Sequence, residues 1–277
     1  MLAVSRCYDP AVTKVSLTFV AFLTGLSLVI GGIASSPVGA TPNNADNARD
    51  ATWPKLPVVY VSGSTEDRSS AEKFAKVLRH NGFDTYIFMV WEKNDPKTNP
   101  YTTVSGNSRR LPAFVDKVLS RTGAPRVDIV TWSQGGLVTR YWLKYFGGAP
   151  HVRSMVGMSA LIKGSPFQRV VQELGGCPSR VACDEMSDSG KRLRALNTPT
   201  QALPGIKYFN ITTRWDENAF PYTTNLMTGR GDYENLVTQK QCPVDPVFHT
   251  TMTHTPSVQS AVISALHGGP MRMKCMF

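Results

Sequence analysis

Short apolar runs alternate with helical patterns along this chain, and that alternation restricts its fold more than any other feature. The runs "KLPVVYVSG" at 55–63 and "DTYIFMVW" at 84–91 are rich in β-branched and aromatic residues, which is typical of buried strands. Between them, Phe74, Val77 and Leu78 recur at the spacing of one helical face. Strands separated by helices usually pair in parallel, so the sequence predicts an α/β fold with a doubly wound sheet and helices on both faces.

The same pattern continues to the C-terminus. Further strands are predicted at 126–132, 153–161, 205–213 and 235–238, and further helices at 109–123, 135–148 and 255–269. Ser69 followed by Glu72 predicts a capping box at the start of the first helix. Functional groups of parallel sheets lie at the carboxyl ends of strands. These ends are expected just after Val61, Trp132, Thr213 and Thr238.

The first 40 residues have the pattern of a targeting segment rather than of a folded domain. Arg6 and Lys14 precede an uncharged, apolar run at 15–34, and the small residues of "SSPVGA" follow as a cleavage pattern. We therefore predict a secreted protein with a cleaved signal peptide at 1–40, a flexible lead-in at 41–55 and a single domain at 56–277. A retained membrane anchor is the alternative, because about 20 apolar residues also span a bilayer.

Cysteine content agrees with export. Once Cys7 leaves with the signal peptide, four cysteines remain, and an even number in an exported protein predicts two disulfides. Three pairings are open, and the simplest is local, Cys177 with Cys183 and Cys242 with Cys275. Four unpaired thiols are the alternative. The spacing does not match a zinc site, and no metal or cofactor is expected.

The overall charge does not identify a partner. The formal net charge of the 277 residues is +10, but the basic residues are scattered, and the sequence contains no recognisable nucleic-acid module. We expect neither a nucleic acid nor a stable protein partner.

Ser133 is the candidate nucleophile. In "DIVTWSQGGLVTRYW" it lies between a predicted strand and a predicted helix, where a nucleophile elbow of the form G-x-S-x-G exposes a serine hydroxyl above the sheet. Thr131 and Gly135 occupy the two glycine positions, so the pattern is half met. An ordinary turn serine is the alternative.

A serine hydroxyl needs a base, and the base needs an orienting acid. His249 follows the last predicted strand and the loop "CPVDPVF", where the base of such a sheet belongs. His254 lies beside the cap of the last helix and is the weaker candidate. Asp216 lies just beyond a predicted strand end and is the candidate acid; the alternatives are Glu217, Asp232 and Asp245.

Backbone N–H groups that await a developing negative charge complete such a site. One is expected from Gln134, directly after the nucleophile, and the other from Ser64 in "VSGST" after the first strand. A glycine turn without such a role is the alternative for this loop.

Several of these segments resemble one known family. "VDIVTWSQGGLVTRYWLKYFGG", "NITTRWDENAFPYT" and "QCPVDPVFH" are similar to segments of the class 2 family of secreted bacterial lipases, and "TWSQGG" resembles the elbow of the yeast lipase B, which also carries a threonine first. The resemblance covers roughly 56–266. It implies an α/β-hydrolase fold, a Ser133–Asp216–His249 triad and a bond between Cys242 and Cys275. It departs at Ser62, where the bacterial relatives usually carry a histidine before the glycine.

The function expected from this resemblance is hydrolysis of carboxylic esters, with acylglycerols as substrates, through an acyl-enzyme on Ser133. A hydrolase or acyltransferase for another acyl bond, such as a polyester or thioester, is one alternative. A non-catalytic protein that binds lipid or wall polymer is another. The long connection at 166–190 is predicted to be either a cap over the site or a disulfide-bonded loop.

Overall fold

Among the residues that the computed structural model describes, six parallel strands form one sheet in the order β2-β1-β3-β4-β5-β6. The strands are β1 (Val58–Val61), β2 (Thr85–Phe88), β3 (Val127–Trp132), β4 (Val152–Met158), β5 (Lys207–Thr212) and β6 (Tyr233–Val237). The described residues are 53–64, 66–92, 103–176 and 180–277, all within the unit Asn43–Phe277. The predicted signal peptide, residues 41–52 of the lead-in and Cys177 lie outside them.

Helices cover both faces of this sheet. They are α1 (Arg68–His80), α2 (Val104–Ser108), α3 (Leu111–Thr122), α4 (Gln134–Tyr145), α5 (Pro166–Glu173), α6 (Arg180–Met186), α7 (Lys191–Asn197), α8 (Thr238–Gln241) and α9 (Pro256–Leu266). Val58 and Tyr60 of β1 belong to the apolar cluster of α1 and α9, whereas Val59 and Val61 belong to the cluster of α3 and α4. This alternation is the two-residue period of a strand with both faces buried. The α/β-hydrolase prediction is confirmed.

The strand order also determines where a site belongs. The chain passes from β1 to the outer strand β2 and then returns across β1 to β3. Ligands of open α/β sheets bind in the crevice beyond the carboxyl ends of the strands that flank such a reversal. In this sheet the crevice lies between the segments that follow Val61 and Trp132.

Two local predictions are wrong. The first helix begins at Arg68, and its N-cap is Asp67, whose carboxylate accepts the Ser70 N–H at 3.0 Å; Ser69 is already helical. Asp67 has the extended backbone that an N-cap requires and a stronger acceptor than a hydroxyl. β4 ends at Met158 instead of residue 161, because Ser159 and Leu161 adopt positive φ values of 44° and 52°, which no strand accommodates.

The connection at 166–190 is largely helical. It contains α5 and α6, and every described side chain of α5 is at least partly exposed. Ser165 and Ser187 at its two ends form an isolated parallel bridge, so the segment leaves and rejoins the domain at one place. Within the described ranges, no helix combines the length and the apolar character needed to cross a bilayer.

A disulfide joins Cys242 to Cys275, as the resemblance implies. It attaches the residue after α8 to the C-terminal segment, and Asp245 accepts the Met276 N–H beside it at 3.2 Å. The pairing of Cys177 with Cys183 stays a prediction, since Cys177 lies outside the described residues.

Cys242→Ser should lower the free energy of unfolding by about 2–4 kcal/mol, because the bond closes a loop with a sequence separation of 33. Urea denaturation of the oxidised protein measures this loss. Cys275→Ser should cost the same amount, and the double variant no more than either single one. A double variant that loses the sum of the two would contradict a shared bond.

Candidate active site

Ser133 occupies a tight turn between β3 and α4. Its backbone has φ 54° and ψ −127°, a combination that costs a non-glycine residue of order 1–3 kcal/mol. The Ser133 N–H donates to Met158 O at 3.0 Å, and the Gly136 N–H donates back to Ser133 O at 3.0 Å. These two bonds hold the turn and direct the side chain outward from the strand end, as the sequence predicts.

Glycine at 135 is required by close backbone packing. A Cβ there would lie 2.5 Å from the carbonyl oxygens of both Val61 and Ser62, and 2.6 Å from Thr131 Oγ1. The first turn of α4 therefore rests against the end of β1. Thr131 is tolerated at the first position of the elbow because its hydroxyl fills the space that a side chain at 135 would need. The half-met pattern has a steric explanation.

Ser133, His249 and Asp216 form one hydrogen-bonded series. His249 Nε2 lies 2.9 Å from Ser133 Oγ, and His249 Nδ1 lies 2.9 Å from Asp216 Oδ1. His249 is 3% exposed and Asp216 is 1% exposed, so solvent does not compete for the acid–imidazole bond. The three residues come from three separate strand ends.

Asp216 is surrounded by donors. Its Oδ1 accepts the Ala219 N–H at 2.8 Å, and its Oδ2 accepts the Asn225 side-chain amide at 3.0 Å. Burial by itself raises the pKa of Asp216, but the hydrogen bond and charge of His249, helped by the Ala219 N–H, outweigh burial and hold this pKa below its ordinary value. Asp216 is therefore an anion near neutral pH.

Glu217 has a different position from its neighbour. Its carboxylate accepts the backbone N–H groups of His249 at 2.8 Å and Thr250 at 3.1 Å, and the Thr250 hydroxyl at 3.0 Å. Burial raises the pKa of Glu217, but hydrogen bonds from its own backbone N–H and from those of His249 and Thr250 lower it below its ordinary value overall. Glu217 thus holds the main chain that carries the imidazole, while Asp216 holds the ring.

The remaining alternatives lie elsewhere. Asp232 precedes β6, at the amino-terminal edge of the sheet, and Asp245 bonds the C-terminal segment near the disulfide. His254 Nδ1 lies 2.7 Å from the Thr253 hydroxyl, beside the start of α9.

Trp132 and a bridge between two loops add support that the sequence did not reveal. The Trp132 indole N–H donates to His249 O at 3.0 Å. Trp215 and Phe248, each directly before a residue of the series, form an isolated parallel bridge, and their ring centroids lie 5.7 Å apart. The loops that carry Asp216 and His249 are therefore joined by their backbones as well as by their side chains.

A pocket of about 210 Å³ opens over Ser133. Both residues of the predicted oxyanion hole, Ser64 and Gln134, line it, while the donor role of their amides stays a prediction. The 166–190 segment contributes Gln168 and Met186, and the Gln134 side chain donates to Met186 Sδ at 3.2 Å. This contact puts the segment over the site, where a cap would lie.

Comparison with known proteins relates this chain to lipases. The family profile described as "Lipase (class 2)" matches residues 55–261. A triacylglycerol lipase of Burkholderia plantarii is 28% identical over 151 residues, 52% of this chain and 40% of that protein. One from Pseudarthrobacter phenanthrenivorans is 29% identical over 126 residues, 43% of this chain and 37% of that protein. The chain thus spans less than half the length of these curated relatives.

Among solved structures, Aspergillus fumigatus lipase B has a TM-score of 0.61 at 18% identity, covering 79% of this chain and 54% of that one. The product of gene lin2722 from Listeria innocua has a TM-score of 0.53 at 16% identity, covering 80% of this chain and 97% of that one. At these identities the likeness concerns the fold.

Proposed function

Since the chain belongs to the class 2 lipase family, we propose that it hydrolyses carboxylic esters through an acyl-enzyme on Ser133. The observation that carries the proposal is the series Asp216–His249–Ser133, with 2.9 Å at each of its two bonds, at the floor of a pocket. A base within hydrogen-bond reach of a hydroxyl, itself oriented by a buried anion, is the arrangement that nucleophilic catalysis by serine requires.

In the proposed mechanism, Ser133 Oγ attacks the ester carbonyl carbon while its proton passes to His249 Nε2. Asp216 keeps the other ring nitrogen protonated and stabilises the imidazolium. The amides of Gln134 and Ser64 bind the oxyanion. The C–O bond to the alcohol then breaks, and His249 protonates the leaving oxygen. Water, deprotonated by His249, then attacks the acyl carbon. The bond from that carbon to Ser133 Oγ breaks, the acid leaves, and His249 returns the proton to Ser133 Oγ.

We further propose a neutral ester with a short acyl chain as the preferred substrate. The pocket of about 210 Å³ is below the roughly 300–1,000 Å³ of sites that enclose drug-sized ligands. Apart from Ser133 and His249, its described lining is uncharged: Trp132, Leu161 and Met186 are apolar, and the polar side chains are Ser64, Gln134, Ser165, Gln168, Asn218 and Thr250. A charged acyl group would find no partner there.

In a series of p-nitrophenyl esters from acetate to palmitate, kcat/KM should be highest for the short acyl chains and fall about tenfold or more by palmitate, because the long chain exceeds the pocket. Initial rates of nitrophenol release measure this. Ser133→Ala is the control and should lose at least about 10⁴-fold in kcat.

Wild-type protein without activity on any ester, or a Ser133→Ala variant as active as wild type, would rule out the enzyme and leave the lipid- or wall-binding alternative. Faster turnover of matched thioesters or polyesters would favour the alternative acyl bonds.

Asp216→Asn should lower kcat by about 10⁴-fold, because an amide at this place no longer fixes the required imidazole tautomer. Glu217→Gln is the matched change one residue along, and we expect a loss below about tenfold, since its carbonyl oxygen still accepts one of the two backbone N–H groups and the imidazole keeps its bond to Asp216. Steady-state kinetics on the best ester compare the two. If Glu217→Gln lost more kcat than Asp216→Asn, then Glu217 would be the acid that orients the imidazole and Asp216 would be the residue that holds the backbone.

We also propose that the protein is secreted after cleavage of 1–40. The Arg6 and Lys14 charges before an apolar run support export, and the Cys242–Cys275 bond is typical of an oxidising compartment. N-terminal sequencing of protein recovered from the culture medium should begin near Thr41. Recovery only from membranes, with the segment retained, would favour the anchor.

A further inference from the structure

Glu66 is a buried acid beside the oxyanion loop, which we define as Ser62–Ser64. It is 4% exposed, and the mechanism above does not use it. Its Oε2 accepts the Tyr60 hydroxyl at 2.7 Å and the Gly63 N–H at 3.2 Å. Its Oε1 is buried and has no hydrogen-bond partner among the described residues. A carboxyl half-satisfied in this way is costly to bury, so its presence calls for a function.

The loop lies between this carboxyl and the aromatic ring that touches the catalytic base. A Cβ at Gly63 would lie 2.6 Å from Trp132 Cε3, so the loop backbone packs directly on the indole. The same indole donates to His249 O at 3.0 Å. On the far side, Ser62 Oγ accepts the Val90 N–H at 2.9 Å and ties the loop to the segment after β2. Only Glu66 holds the loop through an ionisable group in the described structure.

The hydrogen bond from the Gly63 N–H to Glu66 also determines which backbone N–H of the loop can bind the oxyanion. Gly63 N–H is committed to Glu66, so the next N–H in the loop is that of Ser64, the residue that lines the pocket. A shift of Gly63 would move the Ser64 amide with it, because the two share one peptide unit. An oxyanion donor has to lie about 3 Å from the developing charge, so small shifts are costly.

We propose that Glu66 is a positioning residue whose ionised carboxylate holds the Gly63 N–H and thereby places the Ser64 amide for oxyanion binding. This inference rests on the proposed ester hydrolysis. A carboxylate is a stronger acceptor than a neutral carboxyl, and charge-assisted bonds are shorter. The oxyanion hole is therefore better formed when Glu66 is ionised than when it is protonated.

The surroundings of Glu66 put this ionisation near neutral pH. Burial raises its pKa to about 7, against the opposing effects of the Tyr60 and Gly63 bonds and with a further rise from the charge of Asp67. Burial and the Glu66 charge raise the pKa of Tyr60 well above its ordinary value, so Tyr60 remains a donor throughout. Tyr60 on β1 and Asp67 at the N-cap of α1 are the titratable groups that act on it in the described structure.

The test is the ratio of wild-type kcat to Glu66→Gln kcat as a function of pH. At about pH 5.5 the side chain at position 66 is neutral in both proteins, so the kcat ratio should be close to 1. The ratio should rise through pH 7 and reach about tenfold at about pH 8.5. This is a fraction of the 10²–10³-fold loss of kcat that follows removal of an oxyanion donor. KM should change less than about twofold. Nitrophenyl ester turnover, read at the isosbestic wavelength of nitrophenol, supplies the rates.

Tyr60→Phe is the second variant, and it keeps the carboxyl. Loss of the tyrosine hydroxyl removes a bond that lowers the pKa of Glu66, so the rise in kcat should move to higher pH. Glu72→Gln, on the exposed face of α1 where Glu72 pairs with Arg79, is the control and should reproduce the wild-type profile.

Stability gives an independent readout. A carboxyl with a raised pKa binds its proton more tightly in the folded state, so its contribution to stability is present below the unfolded pKa and is lost as the pH rises through the folded one. Between about pH 5 and pH 8, the free energy of unfolding of wild type should therefore decrease relative to that of Glu66→Gln.

A kcat ratio that stays constant with pH, whatever its size, would overturn the proposal and leave Glu66 a structural residue. A Tyr60→Phe profile that superimposes on wild type would do the same. Failure of the proposed function looks different, because the wild-type protein would then hydrolyse no ester, or Ser133→Ala would hydrolyse it equally well.

Discussion

The close approach of α4 to the end of β1 is the contact on which the site depends. It exists because position 135 has no side chain: a Cβ there would lie 2.5 Å from the carbonyl oxygens of Val61 and Ser62. That contact brings the turn with Ser133 beside the oxyanion loop. Everything else at the site is arranged around this junction. Trp132, one residue before the nucleophile, packs on Gly63 on one side and bonds to His249 O on the other.

Two neighbouring acids divide the task of holding the imidazole. Asp216 bonds to the ring and Glu217 to the main chain of the same residue. If only Asp216 held His249, the ring could still move with its loop. If only Glu217 held His249, the loop would be fixed, but the tautomer of the imidazole would not be determined. Both acids lie in the loop after β5, and the bridge between Trp215 and Phe248 joins that loop to the one that carries His249.

Much of the fold and the core of the site could be predicted from the sequence. Ser133, Asp216 and His249 each follow a strand, and strand ends of a parallel sheet converge, so order along the chain reduced the candidates to a few. It could not separate Asp216 from Glu217, which follows the same strand. Glu217, Trp132 and Glu66 could not be found this way, because their roles depend on contacts made across the fold. Nothing in the local sequence around Trp132 or Glu66 indicates these contacts. The cap at Asp67 was missed for a related reason: Ser69 matched the pattern, but backbone conformation selected the residue two positions earlier.

The backbone of Ser133 also limits which nucleophile can replace it. Threonine carries the same hydroxyl, yet a β-branched side chain at φ 54° clashes with its own main chain. Cysteine and serine have a single γ atom and fit the same turn. The elbow therefore admits exchange of oxygen for sulfur more easily than the addition of one methyl group. A change of chemistry at this site is therefore easier by replacing Ser133 with cysteine than by replacing it with threonine, although threonine keeps the hydroxyl.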